Sequence, residues 1–160
     1  MITRKLPFPD NPEAGFGAIA EDGNVFIFED MAMWLPQEEI DLIVNEQSEE
    51  IRRRIEVLRG SRPLPEMAGR TVILVDDGLA MGSTMRASIL LCKKRGARKI
   101  VVAVPVACRE VAEDISRMVD ELVVLETPVH FMAVAQVYSN WYDISDDEVS
   151  SILEHGCTKS

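Results

Sequence analysis

The sequence predicts an α/β domain with a parallel sheet, preceded by a hairpin flap and one long helix. In the second half, three apolar, strand-like runs alternate with two helix-like segments, and such a βαβαβ series is typical of a parallel sheet. The first half has two short strand-like runs joined at Asp22-Gly23, then a helical pattern from Gln37 to Leu58. With 160 residues, of which 47% are hydrophobic, the chain is long enough for one well-buried domain and too short for two ordinary ones.

Residues 1–35 are predicted to form a mobile loop and a hairpin, and residues 36–59 the long helix. The hairpin segment is GFGAIAEDGNVFIF, in which Asp22-Gly23 accepts the positive φ angles of a tight turn. The helix repeats its apolar residues at a spacing of three and four, so it covers the sheet or another subunit. Its apolar face carries Ile40, Ile43, Val44, Ile51, Ile55 and Leu58, whereas Arg52, Arg53 and Arg54 are expected to face solvent rather than a ligand.

Residues 70–127 are predicted to form the βαβαβ core. Its first strand consists of β-branched and aliphatic residues, which suits a strand that is buried on both faces. The helix that begins at Ser83 has a hydroxyl at its start, basic residues in its last turn and Gly96 just after it, so cap, dipole and propensity agree. The predicted elements are Thr71–Val75, Ser83–Arg95, Ile100–Val106, Arg109–Val119 and Leu122–Glu126.

Residues 128–160 are predicted to be a C-terminal tail that ends in a short helix. Ser145 followed by Glu148 predicts a capping box at the start of this helix. The tail also carries an aromatic group, which we expect to pack within the tail, with stacking on a nucleobase as the alternative. This group comprises Phe131, Tyr138, Trp141 and Tyr142.

Charge and composition exclude several classes of function. The 17 basic and 27 acidic residues give a formal net charge of -10, which is the wrong sign for binding nucleic acid or an anionic membrane, so we expect a small polar ligand or a protein partner. The chain has no apolar run long enough for a transmembrane helix, and its N-terminus lacks the apolar core of a signal peptide. Cys92, Cys108 and Cys157 lie far apart without metal-ligand spacing and are expected to be buried thiols of a cytoplasmic protein.

The stretch TVILVDDGLAMGST, residues 71–84, joins the first core strand to the first core helix and carries the candidate site. Asp76 and Asp77 follow the strand directly, and Gly82 opens the helix, whose free N–H groups and positive end would face an anion. Carboxylates accept hydrogen bonds from hydroxyl donors, and a glycine permits close approach of a phosphate. Other site classes fit less well: a Walker loop needs Lys where Ser83 stands, a dinucleotide turn needs three spaced glycines, and a phosphate-receiving aspartate domain needs a later Lys.

The segment VILVDDGLAMGST resembles the thirteen-residue phosphoribosyl-pyrophosphate signature of type I phosphoribosyltransferases, which has four apolar residues, two acids and a loop ending in Thr-Gly-x-Thr. The resemblance implies a Rossmann-like phosphoribosyltransferase fold in which Asp76 and Asp77 bind the 2- and 3-hydroxyls of the ribose. It also implies that the following loop binds the 5-phosphate through its N–H groups and hydroxyls. The loop residues concerned are Ala80, Met81, Gly82, Ser83 and Thr84.

Arg4-Lys5, followed by LPFPDNPEAG, is similar to the Arg-Lys pair that opens the mobile loop in orotate- and adenine-type members, where it meets the pyrophosphate leaving group. This segment and the NPE and ETP segments also resemble a bacterial and archaeal group of predicted phosphoribosyltransferases. The resemblance to that group covers nearly the whole chain. The implied reaction transfers ribose 5-phosphate to a nucleobase or another nitrogen acceptor and releases pyrophosphate. Mg2+ is the implied cofactor, carried by the ligand without direct metal ligands from the protein, and no residue is assigned as catalytic.

Two departures from the family pattern keep a second function open. Met81 stands where the family has Thr, which removes a hydroxyl from the phosphate loop. Family members normally begin with a helix, a first strand and a Gly-containing pyrophosphate loop, and this chain is expected to lack the strand and that loop. The resulting uncovered sheet edge favours association, so we expect a homodimer. The alternative function is a non-catalytic ribose-phosphate-binding, nucleotide-binding or structural oligomerisation domain.

Overall fold

The computed structural model describes residues 1–156, which form two three-stranded sheets and five α-helices. The antiparallel sheet consists, in this order, of β1 (Thr3–Phe8), β2 (Asn11–Ala20) and β3 (Val25–Ile27). The parallel sheet consists, in this order, of β4 (Thr71–Val75), β5 (Lys99–Val106) and β6 (Glu121–Glu126). The helices are α1 (Glu29–Ala32), α2 (Gln37–Arg59), α3 (Ser83–Lys94), α4 (Arg109–Ser116) and α5 (Asp146–Gly156).

The predicted βαβαβ core is confirmed. Strand β4 pairs in parallel with β5, and β5 pairs in parallel with β6, with α3 and α4 as the crossovers. Gly96 follows α3 in a left-handed conformation with φ 72°, and its N–H donates to the carbonyl of Lys93. The start of α3 differs from the prediction because its N-cap is Gly82, with φ 73° and no side-chain cap bond, rather than a hydroxyl residue.

The prediction that β4 is buried on both faces is wrong. Leu74 is buried, but Ile73 and Val75 on the opposite face are 63% and 74% exposed. Because side chains alternate along a strand, one face of the parallel sheet packs on α3, and the other lies open. Val123 and Leu125 of β6 continue this open apolar face. Within residues 1–156, β4 pairs with β5 alone, so its other edge is unpaired.

The N-terminal hairpin is confirmed, and it is longer than predicted. Strands β2 and β3 pair in antiparallel fashion around a turn in which Gly23 has φ 82° and Asp22 accepts a hydrogen bond from the N–H of Asn24. The segment after Lys5, which was expected to be a loop, instead continues as β1 to Phe8 and pairs with β2. The N-terminal region is therefore a three-stranded meander.

Helix α3 lies between the two sheets, and α2 covers the far side of the hairpin. One apolar cluster joins β2, α3 and the parallel sheet through Ala18, Ala20, Leu74, Ile89, Leu91 and Val102. A second cluster joins the hairpin to α2, and its members include Leu6, Phe16, Ile19, Ile40, Ile43 and Ile51. The predicted apolar face of α2 covers the antiparallel sheet and is confirmed except at Leu58, which belongs to neither cluster.

The cysteines and the C-terminal helix follow the predictions in part. Cys92 is buried in α3, Cys108 is partly buried, and Cys157 lies outside the described residues. Ser145 caps α5 by accepting a hydrogen bond from the N–H of Glu148, whereas the Glu148 carboxylate binds the Tyr142 hydroxyl instead of completing the capping box. No helix within residues 1–156 is long and apolar enough to cross a membrane.

Candidate functional site

A cleft of about 450 Å³ lies between the carboxyl end of β4 and strand β1 of the hairpin. The loop between β4 and α3 forms one side of this cleft, and the β1–β2 hairpin forms the other. All seven residues predicted for the ribose and the 5-phosphate line it: Asp76, Asp77, Ala80, Met81, Gly82, Ser83 and Thr84. The cleft is also lined by Thr3, Lys5, Glu13, Gly15, Gly78 and Val134.

The turn that opens α3 depends on a glycine. Gly82 has φ 73° and ψ 15°, a left-handed conformation that L-residues with a side chain rarely adopt. A Cβ at this position would also lie only 2.8 Å from Cγ1 of Val111. Because no side chain caps the helix, the N–H groups of its first turn are left for water or for an anion in the cleft.

Backbone hydrogen bonds connect the loop before this turn to the end of β5. The N–H of Leu79 donates to the carbonyl of Val106 at 2.9 Å, and the N–H of Cys108 donates to the carbonyl of Leu79 at 2.8 Å. Gly78 lies so close to its neighbours that a Cβ would meet Val106 at 2.8 Å and Val134 at 2.9 Å. The path of the loop is therefore set by backbone bonds and by close packing at a glycine.

Asp76 and Asp77 present two neighbouring carboxylates to the cleft. The N–H of Asp77 donates to Oδ1 of Asp76 at 3.1 Å, and neither carboxylate forms an ion pair with any part of the chain from residue 1 to 156. Solvent reaches Asp76, yet the cleft walls surround its carboxylate, and this desolvation raises its pKa, with the charge of Asp77 acting in the same direction. Carboxylates without a cationic partner are free to accept hydrogen bonds from hydroxyl donors.

The structure brings Lys5, but not Arg4, to the cleft. Lys5 lines the cleft and donates from Nζ to the carbonyl of Glu13 at 2.6 Å. Arg4 lies on the opposite face of β1, where its Nε donates to Oε1 of Gln47 in α2 at 3.1 Å. Burial lowers the pKa of the Arg4 guanidinium, and the charge of Arg54 adds to this effect. Of the predicted pyrophosphate pair, only Lys5 is in position to reach a ligand.

The arginines of α2 do not line the cleft, as expected, and Arg53 and Arg54 also form ion pairs. Arg53 and Arg54 both donate to Glu50, and Arg53 also donates to Oδ2 of Asp146 in α5 at 2.7 Å. The hydrogen bond from Arg53 is the main cause that lowers the pKa of Glu50 to about 2. These contacts join the long helix to the C-terminal helix, and Arg52 pairs with Glu49 on the same helix.

Sequence reasoning missed Tyr138, which lies behind the cleft, and five of the residues that line it: Thr3, Glu13, Gly15, Gly78 and Val134. Gly78 follows Asp77 within the segment VILVDDGLAMGST, so the sequence itself indicates a glycine at this point of the loop. Tyr138 packs on Trp141 within the tail, as predicted, and its hydroxyl also donates to the carbonyl of Asp77 at 2.7 Å. Tyr138 and Asp77 are 61 positions apart, and no spacing rule predicts such a contact.

A family model described as "Phosphoribosyl transferase domain" matches residues 34–140. "Putative phosphoribosyl transferase Rv0571c" of Mycobacterium tuberculosis H37Rv is 37% identical over 156 residues, which are 96% of this chain and 35% of that protein. "Uracil phosphoribosyltransferase" of Aeropyrum pernix is 31% identical over 107 residues, which are 66% of this chain and 47% of that protein. The chain thus spans about a third to a half of the length of these curated relatives.

A solved structure has the same fold as this chain. The crystal structure of TT1426 from Thermus thermophilus is 35% identical in sequence and superposes with a TM-score of 0.72, covering 96% of this chain and 73% of that one. The matched family region contains the carboxylate pair and the whole turn at the start of α3. The chain therefore has the Rossmann-like phosphoribosyltransferase fold and belongs to the type I phosphoribosyltransferase family.

Proposed function

We propose that this chain binds phosphoribosyl pyrophosphate in the cleft and transfers its ribose 5-phosphate to a nitrogen acceptor, with release of pyrophosphate. The proposal rests on one observation: a pair of carboxylates and the start of a helix that no side chain caps line the same cleft. A nucleobase or another nitrogen compound is the acceptor, and the name of the Aeropyrum pernix relative supports the nucleobase class.

Each part of the ligand has a matching group in the cleft. Asp76 and Asp77 accept hydrogen bonds from the 2- and 3-hydroxyls of the ribose. The N–H groups of Ala80 to Thr84, with the hydroxyls of Ser83 and Thr84, bind the 5-phosphate. Lys5 lies across the cleft from this turn and supplies a positive charge for the pyrophosphate. The ligand is thereby held at both ends, with its anomeric carbon between them.

The proposed transfer relies on positioning and on charge stabilisation. The bond from the anomeric carbon to the pyrophosphate oxygen breaks, and its electron pair leaves with the pyrophosphate. The lone pair of the acceptor nitrogen forms the new bond to the same carbon, and the proton that this nitrogen loses passes to the departing pyrophosphate or to water. Holding the ribose by its diol and its phosphate fixes the carbon for this exchange, and Lys5 stabilises the charge on the departing group.

Mg2+ fits this cleft as a companion of the ligand. Within residues 1–156, no group of three or more His, Cys, Asp or Glu side chains is arranged to hold a metal ion. The carboxylates that line the cleft are those of Asp76, Asp77 and Glu13, which are not grouped to hold a metal ion, so most oxygens around Mg2+ would come from pyrophosphate and water. When bound, Mg2+ neutralises charge on the leaving pyrophosphate.

Calorimetry with phosphoribosyl pyrophosphate and Mg2+ tests the binding part of the proposal. We expect heat of binding at micromolar to millimolar ligand, and competition by ribose 5-phosphate. The absence of heat at millimolar ligand would overturn the proposal. Release of pyrophosphate with a panel of nucleobases then tests the transfer.

A second candidate function is binding of a ribose phosphate without transfer, and Met81 favours it. This side chain lines the cleft at the phosphate turn, where the family signature has a hydroxyl residue, and it is 40% exposed. The loss of one hydrogen bond to a charged phosphate weakens binding by about one to two orders of magnitude unless backbone contacts compensate. This candidate predicts binding of ribose 5-phosphate or a nucleotide without release of pyrophosphate, and turnover in the unaltered chain would refute it.

We also propose that the chain acts as a homodimer in the cytoplasm. The open apolar face of the parallel sheet and the unpaired edge of β4 support association. The unpaired thiols of Cys92 and Cys108 support a reducing compartment. Light scattering should give the mass of two chains, and a stable monomer at high concentration would contradict the dimer.

A further inference from the structure

We propose that Tyr138 is a positioning residue for the ribose-binding carboxylates, an inference that rests on the function proposed for the cleft. Its hydroxyl holds the carbonyl of Asp77 and so fixes the peptide that follows the carboxylate pair. The C-terminal tail would thereby be part of the ribose site, although Tyr138 itself does not line the cleft.

The tail reaches the cleft through a 3-10 turn at Val134–Val137. The side-chain oxygen of Gln136 accepts hydrogen bonds from the N–H groups of Met132 and Ala133, which fixes the entry into this turn. Val134 then packs against Gly78 at the wall of the cleft. Tyr138, directly after the turn, donates from its hydroxyl to the carbonyl of Asp77 at 2.7 Å.

The bond from Tyr138 restrains the carbonyl oxygen of the peptide between Asp77 and Gly78, in addition to the close packing at Gly78. On its far side, Leu79 is fixed by two backbone bonds to the end of β5, and on its near side β4 ends at Val75. Gly78 has no side chain, so its backbone is freer to rotate than that of any other residue type. Within residues 1–156, the bond from Tyr138 is the one side-chain hydrogen bond to the carbonyl of Asp77. A shift of this peptide that displaces the Cα of Asp77 would move the Asp77 carboxylate relative to a bound diol.

The ring of Tyr138 is itself held in place. It packs on Trp141 with the ring centroids 5.5 Å apart and the planes tilted by 54°. The hydroxyl of Tyr142 points to a different element, because it donates to Oε1 of Glu148 at 2.8 Å. The tail therefore offers two tyrosines with short hydroxyl bonds, of which one serves the carboxylate loop and the other serves the last helix.

The test compares Tyr138→Phe with Tyr142→Phe in the otherwise unaltered chain. Calorimetry measures the affinity of each protein for ribose 5-phosphate and for inorganic phosphate. We expect Tyr138→Phe to lower the affinity for ribose 5-phosphate by about fivefold, since a single neutral hydrogen bond is lost. Its affinity for inorganic phosphate should stay within about twofold, because the phosphate turn has its own backbone anchors. Tyr142→Phe should leave both affinities unchanged.

A second measurement does not depend on a ligand. In the ligand-free protein, the carbonyl ¹³C resonance of Asp77 should shift upfield in Tyr138→Phe and stay in place in Tyr142→Phe, because only the first variant loses the bond to that carbonyl. An unchanged Asp77 resonance in Tyr138→Phe would overturn the inference.

The outcomes separate this inference from the proposed function. An unaltered chain that binds no ribose 5-phosphate would overturn both. A chain that binds ribose 5-phosphate equally well with and without the Tyr138 hydroxyl would overturn the role of Tyr138 alone. An equal loss of affinity for ribose 5-phosphate and for inorganic phosphate would also overturn the role of Tyr138, because a general loss of stability lowers both affinities.

Discussion

The two sides of the cleft are built in different ways. On the parallel-sheet side, the loop is anchored to β5 by backbone bonds, and it passes through Gly78 and Gly82, neither of which has room for a Cβ. On the hairpin side, the cleft is lined by residues of β1 and β2, among them Lys5. Under the proposed function, binding of the 5-phosphate would depend on backbone shape, whereas contact with the leaving pyrophosphate would depend on the charge of Lys5. Substitutions on the parallel-sheet side should therefore lower ligand affinity more than substitutions on the hairpin side.

The largest effect is expected for Gly82→Ala on the backbone-defined side. The left-handed conformation costs a residue with a side chain roughly 1 to 2 kcal/mol, and the new Cβ meets Val111. Displacement of the turn removes several N–H groups from the phosphate at once, so affinity for ribose 5-phosphate and for inorganic phosphate should fall by about 100-fold. Calorimetry and thermal unfolding measure the two effects.

Gly96→Ala is the matched control for this experiment. Gly96 has φ 72° at the other end of α3, and a Cβ there meets Ala68 at an ordinary distance of 3.7 Å. The backbone strain is the same, but the ligand is not touched, so stability should fall while phosphate affinity stays. If both variants lose affinity equally, the turn at Gly82 is not the phosphate site.

The next effect is expected for Asp76→Asn, which removes a carboxylate and leaves the phosphate turn intact. Hydrogen bonds to a charged group are strong, so affinity for ribose 5-phosphate should fall by about 30-fold, with inorganic phosphate unaffected. For the unaltered chain, ribose 5-phosphate affinity should decline as the pH falls through the raised pKa of Asp76, because the protonated acid is a poorer acceptor. Titration calorimetry at several pH values checks both points.

The same variant has an opposite effect on stability. A carboxyl group whose pKa is raised in the folded state destabilises that state at neutral pH, and the penalty disappears as the pH falls below the unfolded value near 3.8. Asp76→Asn should therefore raise the melting temperature at pH 7, and the difference from the unaltered chain should shrink in acid. A variant that melts lower than the unaltered chain at pH 7 would contradict this account of the site.

On the hairpin side, Lys5→Met removes the one Lys or Arg side chain that lines the cleft within residues 1–156. Affinity for phosphoribosyl pyrophosphate should fall by about tenfold, because one charge-assisted contact is lost, while affinity for ribose 5-phosphate should be unchanged. Arg4→Met is the control on the same strand, since Arg4 binds Gln47 of α2 and should affect stability only. A larger loss of phosphoribosyl pyrophosphate affinity in Arg4→Met than in Lys5→Met would mean that the hairpin binds in another register.

The smallest effect is expected for Met81→Thr, which restores the hydroxyl of the family signature. Since Met81 is exposed to water, which competes for the new bond, affinity for ribose 5-phosphate should rise by only about fivefold. Release of pyrophosphate that begins only in this variant would favour the non-catalytic function for the unaltered chain. No gain in affinity would show that backbone contacts already satisfy the phosphate.

The sequence predicts the backbone-defined side of the cleft better than the hairpin side. The strand, the two acids and the glycine turn are contiguous, so residues 71–84 contain nearly all that positions them. The resemblance predicts that Arg4 and Lys5 act as a pair. Both lie in β1, where consecutive side chains point to opposite faces, so only one of them reaches the cleft.

Two further errors have physical causes that lie outside any local pattern. An apolar strand predicts burial on both faces only if another layer covers the second face, and here Ile73 and Val75 are open. The contact between Tyr138 and Asp77 joins distant parts of the chain, so neither spacing nor propensity indicates it. Local sequence thus determines the elements, whereas the partners of each element come from the assembled fold.

The two sides of the cleft are also linked by one arginine of α3. The guanidinium of Arg86 lies 5.5 Å from the ring of Phe26 and 5.8 Å from the ring of Phe28 at the end of the hairpin, and it donates to Oδ2 of Asp114 in α4 at 2.8 Å. In evolutionary terms, hairpin and parallel sheet are therefore not free to diverge separately. Among relatives, replacement of this arginine should be accompanied by changes at Phe26, Phe28 and Asp114, since co-varying positions report contact.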